Sequence, residues 1–341
     1  MSDVARRAGV SRQLVSLVLR HEAGPSAASR EAVLEAVADL GFQANTSAQL
    51  LRQERTRLIG VMFEPRITFE SRFVERLLER AARERLGVVL GPVTPVRTTD
   101  VVVTELLGHR VEALGCFNPD PSSAALRTAI ARMPVIWLGE RSVEPRVDAV
   151  HSDDVAGLRL LVEHLVGLGH RDIAYAGGLG GRVGPDRADA YRRAMAGAGL
   201  GDRIDQVAVG FGEEDGAAAA TLLLARDHLP TAVIGCSDHV GAALIAVFSR
   251  AGVRVPEDVS VTGYDDSDIA ALSYHDLTAV RQDADLSAAE ALRAMTRRLE
   301  DPSAAPLDVA TPATLTVRGS TGPARTRTAQ DGGGRPGSRM E

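Results

Sequence analysis

No lysine occurs in this 341-residue chain; all 39 basic side chains are arginine. GC-rich coding would produce such a bias, and no mechanism is read from it. Positive charge is short overall. The net charge of −6 excludes a protein that coats nucleic acid over its whole surface. Cysteine is nearly missing. Cys116 and Cys236 are far apart and each sits beside apolar residues, so a disulfide framework is excluded. Buried free thiols in a reducing compartment are expected. No apolar run approaches a membrane-spanning length, and no basic segment leading into an apolar one opens the chain. Neither a membrane span nor a secretory signal is expected, and a cytoplasmic location follows.

Charge is unevenly placed. Residues 1–57 carry +2, and the remainder carries −8. Any nucleic-acid function must therefore sit on one small N-terminal module. Within it, Asp3 to Leu19 reads DVARRAGVSRQLVSLVL. Val4, Ala5 and Ala8 share one face of a first short helix. Leu14, Val15, Val18 and Leu19 share one face of a second, after a tight turn at Gly9-Val10-Ser11. Arg12, Gln13, Ser16, Leu17 and Arg20 are left on an outward face. Arg and Gln are the side chains that read guanine and adenine edges, and the start of a second helix is where a helix-turn-helix presents them. An amphipathic hairpin alone would be commonplace. A third helix strengthens the reading, with Ser26 as N-cap, Val33, Leu34, Val37, Ala38 and Leu40 apolar, and Gly41 at C′.

Residues 45–57 read as a linker with latent helicity, too short for a stable isolated helix. From Leu58 short apolar strands alternate with helices: LIGVMF, an amphipathic SRFVERLLERAARERLG, VVLGPV, EALGCF and PVIWLG. The rhythm restarts after Val150, through IAYAGG, AVIGCS and SVTGYD. That alternation predicts parallel sheets covered by helices, in two α/β lobes with a crevice between them. The segment from Thr321 is rich in Gly, Pro, Arg and Thr, contains no Leu, Ile or Val, and is expected to be disordered.

These residues resemble the LacI/GalR family of bacterial transcription regulators. The resemblance rests on DVARRAGVS, SREAVLEAVADLGFQAN and SAQLLR, then HSDDVAG, EHLVGLGHRDIAYAGG, RADAYRRAM, IGCSDHVGAAL and VRVPEDVSVTGYDDSDIA followed by LTAVRQD. It covers roughly residues 2 to 320. It implies an N-terminal three-helix helix-turn-helix domain (1–44), a hinge segment (45–57), and a bilobed periplasmic-binding-protein-like effector and dimerisation domain (58–320). Its chain crosses three times, giving a first lobe of about 58–150 and 281–312 and a second of about 151–280 and 313–320. Residues 321–341 form the tail.

By the same resemblance, Arg12, Gln13, Ser16 and Leu17 are the base-reading positions. Leu17 and Arg20 depart from residues frequent in the family, so an operator unlike its relatives' is expected. Asn45, Ala48 and Leu51 align with a hinge in which paired Leu side chains wedge into the minor groove; Ala44 replaces a frequent Pro. Arg187, Phe211 and Asp265 match effector positions, and Asp238 ends another strand. Phe73 and Arg141, with Phe69, are candidates from the first lobe, where EPRITFES matches less well. The implied partners are double-stranded DNA bearing a pseudo-palindromic operator, a sugar or sugar derivative, and a second copy of the chain. The helix SRFVERLLERAARERL is a candidate dimer face. No catalytic, metal or cofactor residue is assigned.

Two enzyme-like patterns compete with this reading. GLGGRVG follows a strand as a dinucleotide loop would, but Val183 stands where the third glycine is needed. GCSDH resembles a nucleophile elbow, with Ser237, Asp265 and His275 in hydrolase order, but His239 replaces the final glycine. An α/β hydrolase-like enzyme is the remote alternative. A constitutive DNA-binding regulator without a ligand is the nearer one.

Overall fold

The computed structural model describes residues 1–19, 22–41 and 55–325. The chain divides into two compact units, Met1–Thr56 and Arg57–Glu341. In the first, α1 (Ser2–Ala8), α2 (Arg12–Leu19) and α3 (Ala27–Asp39) enclose a core of Val4, Ala5, Val15, Val18, Val33 and Ala36. Gly9 closes α1 at φ 65°, a left-handed turn that a side chain would strain. Ser26 caps α3 by accepting from Ser29 N, and Gly41 follows at φ 54°. The buried face of α3 differs from the sequence reading. Val33, Ala36 and half-buried Val37 pack inward, while Leu34 and Leu40 are 48% and 47% exposed and Ala38 faces solvent. The helix has more apolar residues than its small partners can cover.

The second unit holds two six-stranded sheets. The first is built from β1 (Leu58–Phe63), β2 (Gly87–Pro92), β3 (Ala113–Phe117), β4 (Val135–Leu138), β5 (Asp148–Ser152) and β11 (Asp308–Thr311). Its order is β11-β5-β4-β3-β1-β2, all parallel. The helices between these strands are α4 (Thr68–Arg83), α5 (Thr99–Gly108) and α6 (Ala124–Arg132). The second sheet holds β6 (Ile173–Ala176), β7 (Asp205–Val207), β8 (Ala232–Gly235), β9 (Ser260–Asp265), β10 (Thr278–Gln282) and β12 (Ala313–Thr316). Its order is β12-β10-β9-β8-β6-β7, with only the β10–β12 pair antiparallel. Its helices are α7 (Asp154–Gly167), α8 (Val183–Gly197), α9 (Glu213–Leu224), α10 (Asp238–Arg250) and short α11 (Asp268–Ala271). Finally, α12 (Ala284–Glu300) returns to pack on α4 and the first sheet.

The chain thus passes between lobes at residues 153, 283 and 312. β5 runs two residues beyond Val150 as a first-sheet strand, DAVHS, that hydrophobicity does not reveal. Its Asp148 is fully buried and paired with Arg298 at 2.9 Å and Arg297 at 3.5 Å. Thr321–Arg325, placed with the disordered tail by composition, are held by the second lobe. Gly322 N donates to Ser260 Oγ, Ala324 N to Leu168 O, and the Arg325 guanidinium to Leu229 O. Hydrogen bonds to the second lobe, which composition does not report, order them. Residues 326–341 lie outside the described residues.

Candidate functional site

In the N-terminal unit, Ser11 sets where α2 begins: its Oγ accepts from Leu14 N at 3.2 Å. Arg12 and Gln13 follow and are exposed, with Ser16 and Leu17 partly so one turn later. The opposite face, Val15 and Val18, is buried. A bridge from Arg7 to Asp39 at 2.6 Å ties α1 to α3. This presents a guanidinium and an amide at the first turn of a well-seated helix, as major-groove readout requires. Arg20 and the hinge positions Ala44, Asn45, Ala48 and Leu51 lie outside the described residues.

Both sheets of the second unit have the doubly wound order 2-1-3-4-5, reversing between β1 and β3 and between β6 and β8. Ligands bind such sheets at the carboxyl ends of the strands beside that reversal, because loops there diverge and leave a crevice. Arg187 on α8 lies at this place in the second lobe. Its Nε donates to Asp154 Oδ1 at 3.1 Å, its Nη1 donates to Cys236 O at 2.9 Å, and Nη1 stands 4.0 Å from Asp265 Oδ1. The guanidinium carbon sits 3.9 Å from the Tyr264 ring centroid and 5.8 Å from that of Phe211. Burial works against the Arg187 charge, but Asp154, Tyr264 and Asp265 outweigh it and hold the pKa above the usual range. Asp265 ends β9 at φ 115°, a strained conformation for a non-glycine residue. Burial pushes its carboxyl up to about 6, with Arg187 pulling the other way. A fixed donor, a poised carboxylate and an aromatic face together suit a polyhydroxylated ring.

Asp238 has a different position from the one expected. It is fully buried, accepts from Ser267 N at 2.6 Å, and has Oδ1 against the β9 backbone, where a Cβ on Gly263 would come within 2.4 Å. Burial and then Asp265 raise its pKa well above the carboxylate range. It braces the β9–α11 turn. Phe73 is likewise core: it is 1% exposed and meets Phe117 edge-on at 5.0 Å. Phe69 lies edge-on to the same ring at 6.3 Å. The helical period that buries Leu77 and Ala81 buries both rings as well. Arg141 is exposed beyond β4.

The first lobe instead contributes polar groups that the sequence reading missed. Glu70 accepts from Glu64 N at 2.6 Å and from Asn118 Nδ2 at 3.3 Å, beside the β1–β3 reversal. Burial raises its pKa to about 8, and burial raises that of Glu140 to about 7 against the pull of Arg182. Several contacts join the lobes. Thr68 Oγ1 meets His239 Nε2 at 2.9 Å, and Arg72 Nη1 donates to Asp266 O at 2.8 Å. Gly181, at φ 53°, lies so near Asn118 that a Cβ would come within 2.4 Å of its Oδ1. A Gly-Gly pair after a strand marks such a close approach, and it was the only cue available in the sequence.

Residues 1–45 match the family model for bacterial regulatory proteins, lacI family, and residues 162–321 match a periplasmic binding protein-like domain. The chain is 31% identical over 292 residues to the lactose operon repressor of Escherichia coli (strain K12), covering 82% of this chain and 79% of that protein. The chain belongs to the lacI family. It is 30% identical over 341 residues to the HTH-type transcriptional regulator CelR of Thermobifida fusca, covering 93% and 96%. Among solved structures, a LacI transcriptional regulator from a Rhodococcus species has a TM-score of 0.75 at 33% identity, over 78% of this chain and 99% of that one. The lac repressor dimer bound to operator and the anti-inducer ONPF has a TM-score of 0.81 at 26% identity, over 94% and 98%. A CelR–cellobiose complex gives 0.71 at 27%, over 93% and 98%. This lacI-family chain is a DNA-binding transcription regulator with a periplasmic-binding-protein-like domain. Its relatives here are regulators, not enzymes.

The elbow-like GCSDH has a structural explanation in this lacI-family protein. Ser237 caps α10: its Oγ accepts from Val240 N and donates to Phe211 O at 2.7 Å, and its φ of −148° is ordinary extended backbone. Among the described residues, no helix is long and apolar enough to cross a membrane.

Proposed function

We propose that this regulator is a repressor that binds a pseudo-palindromic operator as a homodimer and is controlled by a small sugar-like effector held between its two lobes. The observation that carries the reading is the setting of Arg187, clamped by Asp154 and facing Asp265 at the carboxyl ends of the strands. A planar donor with fixed orientation beside a carboxylate is the chemistry that orients vicinal hydroxyls. Phe211 supplies an apolar face for the ring, and Glu70, Asn118 and Glu140 line the opposite lobe. The CelR–cellobiose and lac repressor–operator structures are of the same fold and support both halves of the proposal.

In this mechanism, Arg12, Gln13, Ser16 and Leu17 contact bases, and Leu51 of each subunit wedges into the minor groove between half-sites. The effector alters the lobe angle and so how the two 45–57 segments meet on DNA. Coupling of this kind is typically ~1–3 kcal/mol. The discriminating experiment is a thermal-shift screen of the full chain against sugars, polyols and nucleobases, followed by operator titration with each hit. A hit raises the melting temperature, since a ligand selective for the native state must stabilise it. It also changes operator affinity. If no compound of these classes does either, the constitutive regulator is the better reading.

A further inference from the structure

Two of the three inter-lobe passages are tied together by a buried polar ring that passes through the proposed ligand contacts, and the third is bonded to the first. Gln282, the last residue of β10, is 5% exposed. Its Nε2 donates to Asp265 Oδ1, and its Oε1 accepts from the Ser152 hydroxyl at 2.6 Å. Ser152 ends β5 in the first lobe, and Asp265 ends β9 in the second. Two residues past Ser152, Asp154 holds Arg187, and Arg187 in turn faces Asp265. The third passage is attached to the first: Asp153 N donates to Thr311 O at 2.9 Å, and Thr311 Oγ1 donates to His151 O at 3.2 Å.

We propose that Gln282 is a positioning residue that ties the Arg187–Asp265 pair to the inter-lobe passages, so that a ligand engaging that pair resets the passages through it. This deepens the ligand-controlled reading above and rests on it. A primary amide suits the place because it offers one donor and one acceptor on a rigid plane. Asp265 needs the donor and Ser152 needs the acceptor. The ring is buried, so water is not at hand to replace a lost partner, and a half-satisfied network costs more than its separate bonds suggest.

The test uses full-length protein carrying Gln282→Glu or Gln282→Met. In the Gln282→Glu variant, a protonated carboxyl repeats the donor and acceptor of the amide. An ionised one opposes Asp265 and Asp154 of the ring, with Arg187 as the cation and the His239 imidazole also near Asp265. Hydrogen exchange is followed in peptides spanning 150–156 and 308–314, beside titrations of the operator that the wild type selects. For Gln282→Glu, both peptides exchange like wild type near about pH 5 and about tenfold faster or more near about pH 8, the scale of one lost charge-assisted hydrogen bond. Gln282→Met, which cannot titrate, is faster at both. Operator affinity of Gln282→Glu relative to wild type shifts about fivefold or more between the same two pH values. Wild-type exchange in both variants, or exchange that changes while operator affinity does not, overturns the proposal. A wild type that selects no operator overturns the regulator reading instead, and the exchange arm then decides the role of Gln282 alone.

Discussion

Asp154 holds Arg187 with an oxygen that is already shared: its Oδ1 accepts from Arg187 Nε at 3.1 Å and from the Tyr264 hydroxyl at 2.6 Å. All three groups are largely buried, and Arg187 is 5% exposed. Removing one partner of a buried pair strands the other charge. Asp154→Ala is therefore expected to cost about 3–5 kcal/mol in urea denaturation. Asp154→Asn keeps an acceptor and should cost clearly less. A loss below about 1 kcal/mol for the alanine variant would show that the pair is solvated and not structural.

Base readout is tested at Arg12 and Gln13. Each alanine substitution should weaken binding to the selected operator by ~1–3 kcal/mol and relax preference at one base pair per half-site. Affinity for unrelated DNA should move far less for Gln13→Ala, which changes no charge. Selection from random DNA that returns no preferred sequence would refute the assignment.

Gly181 of the second lobe lies against Asn118 of the first. Gly181→Ala adds a Cβ where only about 2.4 Å is free and a φ of 53° already disfavours a side chain. Local backbone strain should cost roughly 1–2 kcal/mol in stability. The larger effect should be on effector affinity, which falls as the closed state becomes less populated. Calorimetry with a hit from the thermal screen reads this directly. Unchanged affinity would mean that ligand binds without this approach.

The buried acids of the first lobe predict a pH dependence of stability. Glu70 titrates at about 8 in the folded chain against an ordinary value of 4.5. Between those values the folded state binds more protons than the unfolded, so stability is full below about pH 4.5 and falls as pH rises to about 8. Glu140, at about 7, acts in the same direction. Glu70→Gln keeps an acceptor for Glu64 N and removes the charge. It should raise the melting temperature near pH 8 and flatten the profile across that window. A profile identical to wild type would place Glu70 in water.

The end of the second lobe gives a truncation test. Stopping after Arg325 keeps the bonds from Gly322 to Ser260, Ala324 to Leu168 and Arg325 to Leu229; stopping after Thr321 removes them. The longer form should sediment as a dimer with unchanged stability, and the shorter should lose about 1–3 kcal/mol. Residues 322–341 contain no Leu, Ile or Val, so these residues cannot form a Leu heptad seam joining dimers into tetramers. A tetramer that becomes a dimer when residues 326–341 are removed would contradict this.

What the sequence by itself determined follows from short-range periodicity and turn chemistry. The Gly9 turn, the Ser26 cap, strands β1 and β9 and the two-lobed alternation each depend on residues within one element, where apolar spacing reports burial. Arg187, Phe211 and Asp265 were singled out by their resemblance to family motifs, and the fold brings Arg187 to 4.0 Å from Asp265 and 5.8 Å from the Phe211 ring. The strand DAVHS was not legible, since polar residues in a covered strand erase the hydrophobic signal. Only the tertiary structure decided that Phe73 and Asp238 serve the core and a turn, that buried Glu70 bonds Asn118 while buried Glu140 lies near Arg182, and that Gly181 meets Asn118. Arg187 meets Asp154 across 33 positions, and Ser152 meets Gln282 across 130. Partners so far apart share no period along the chain. They are brought together by the order of strands in the two sheets, and a buried polar group takes whichever partner that order places within reach.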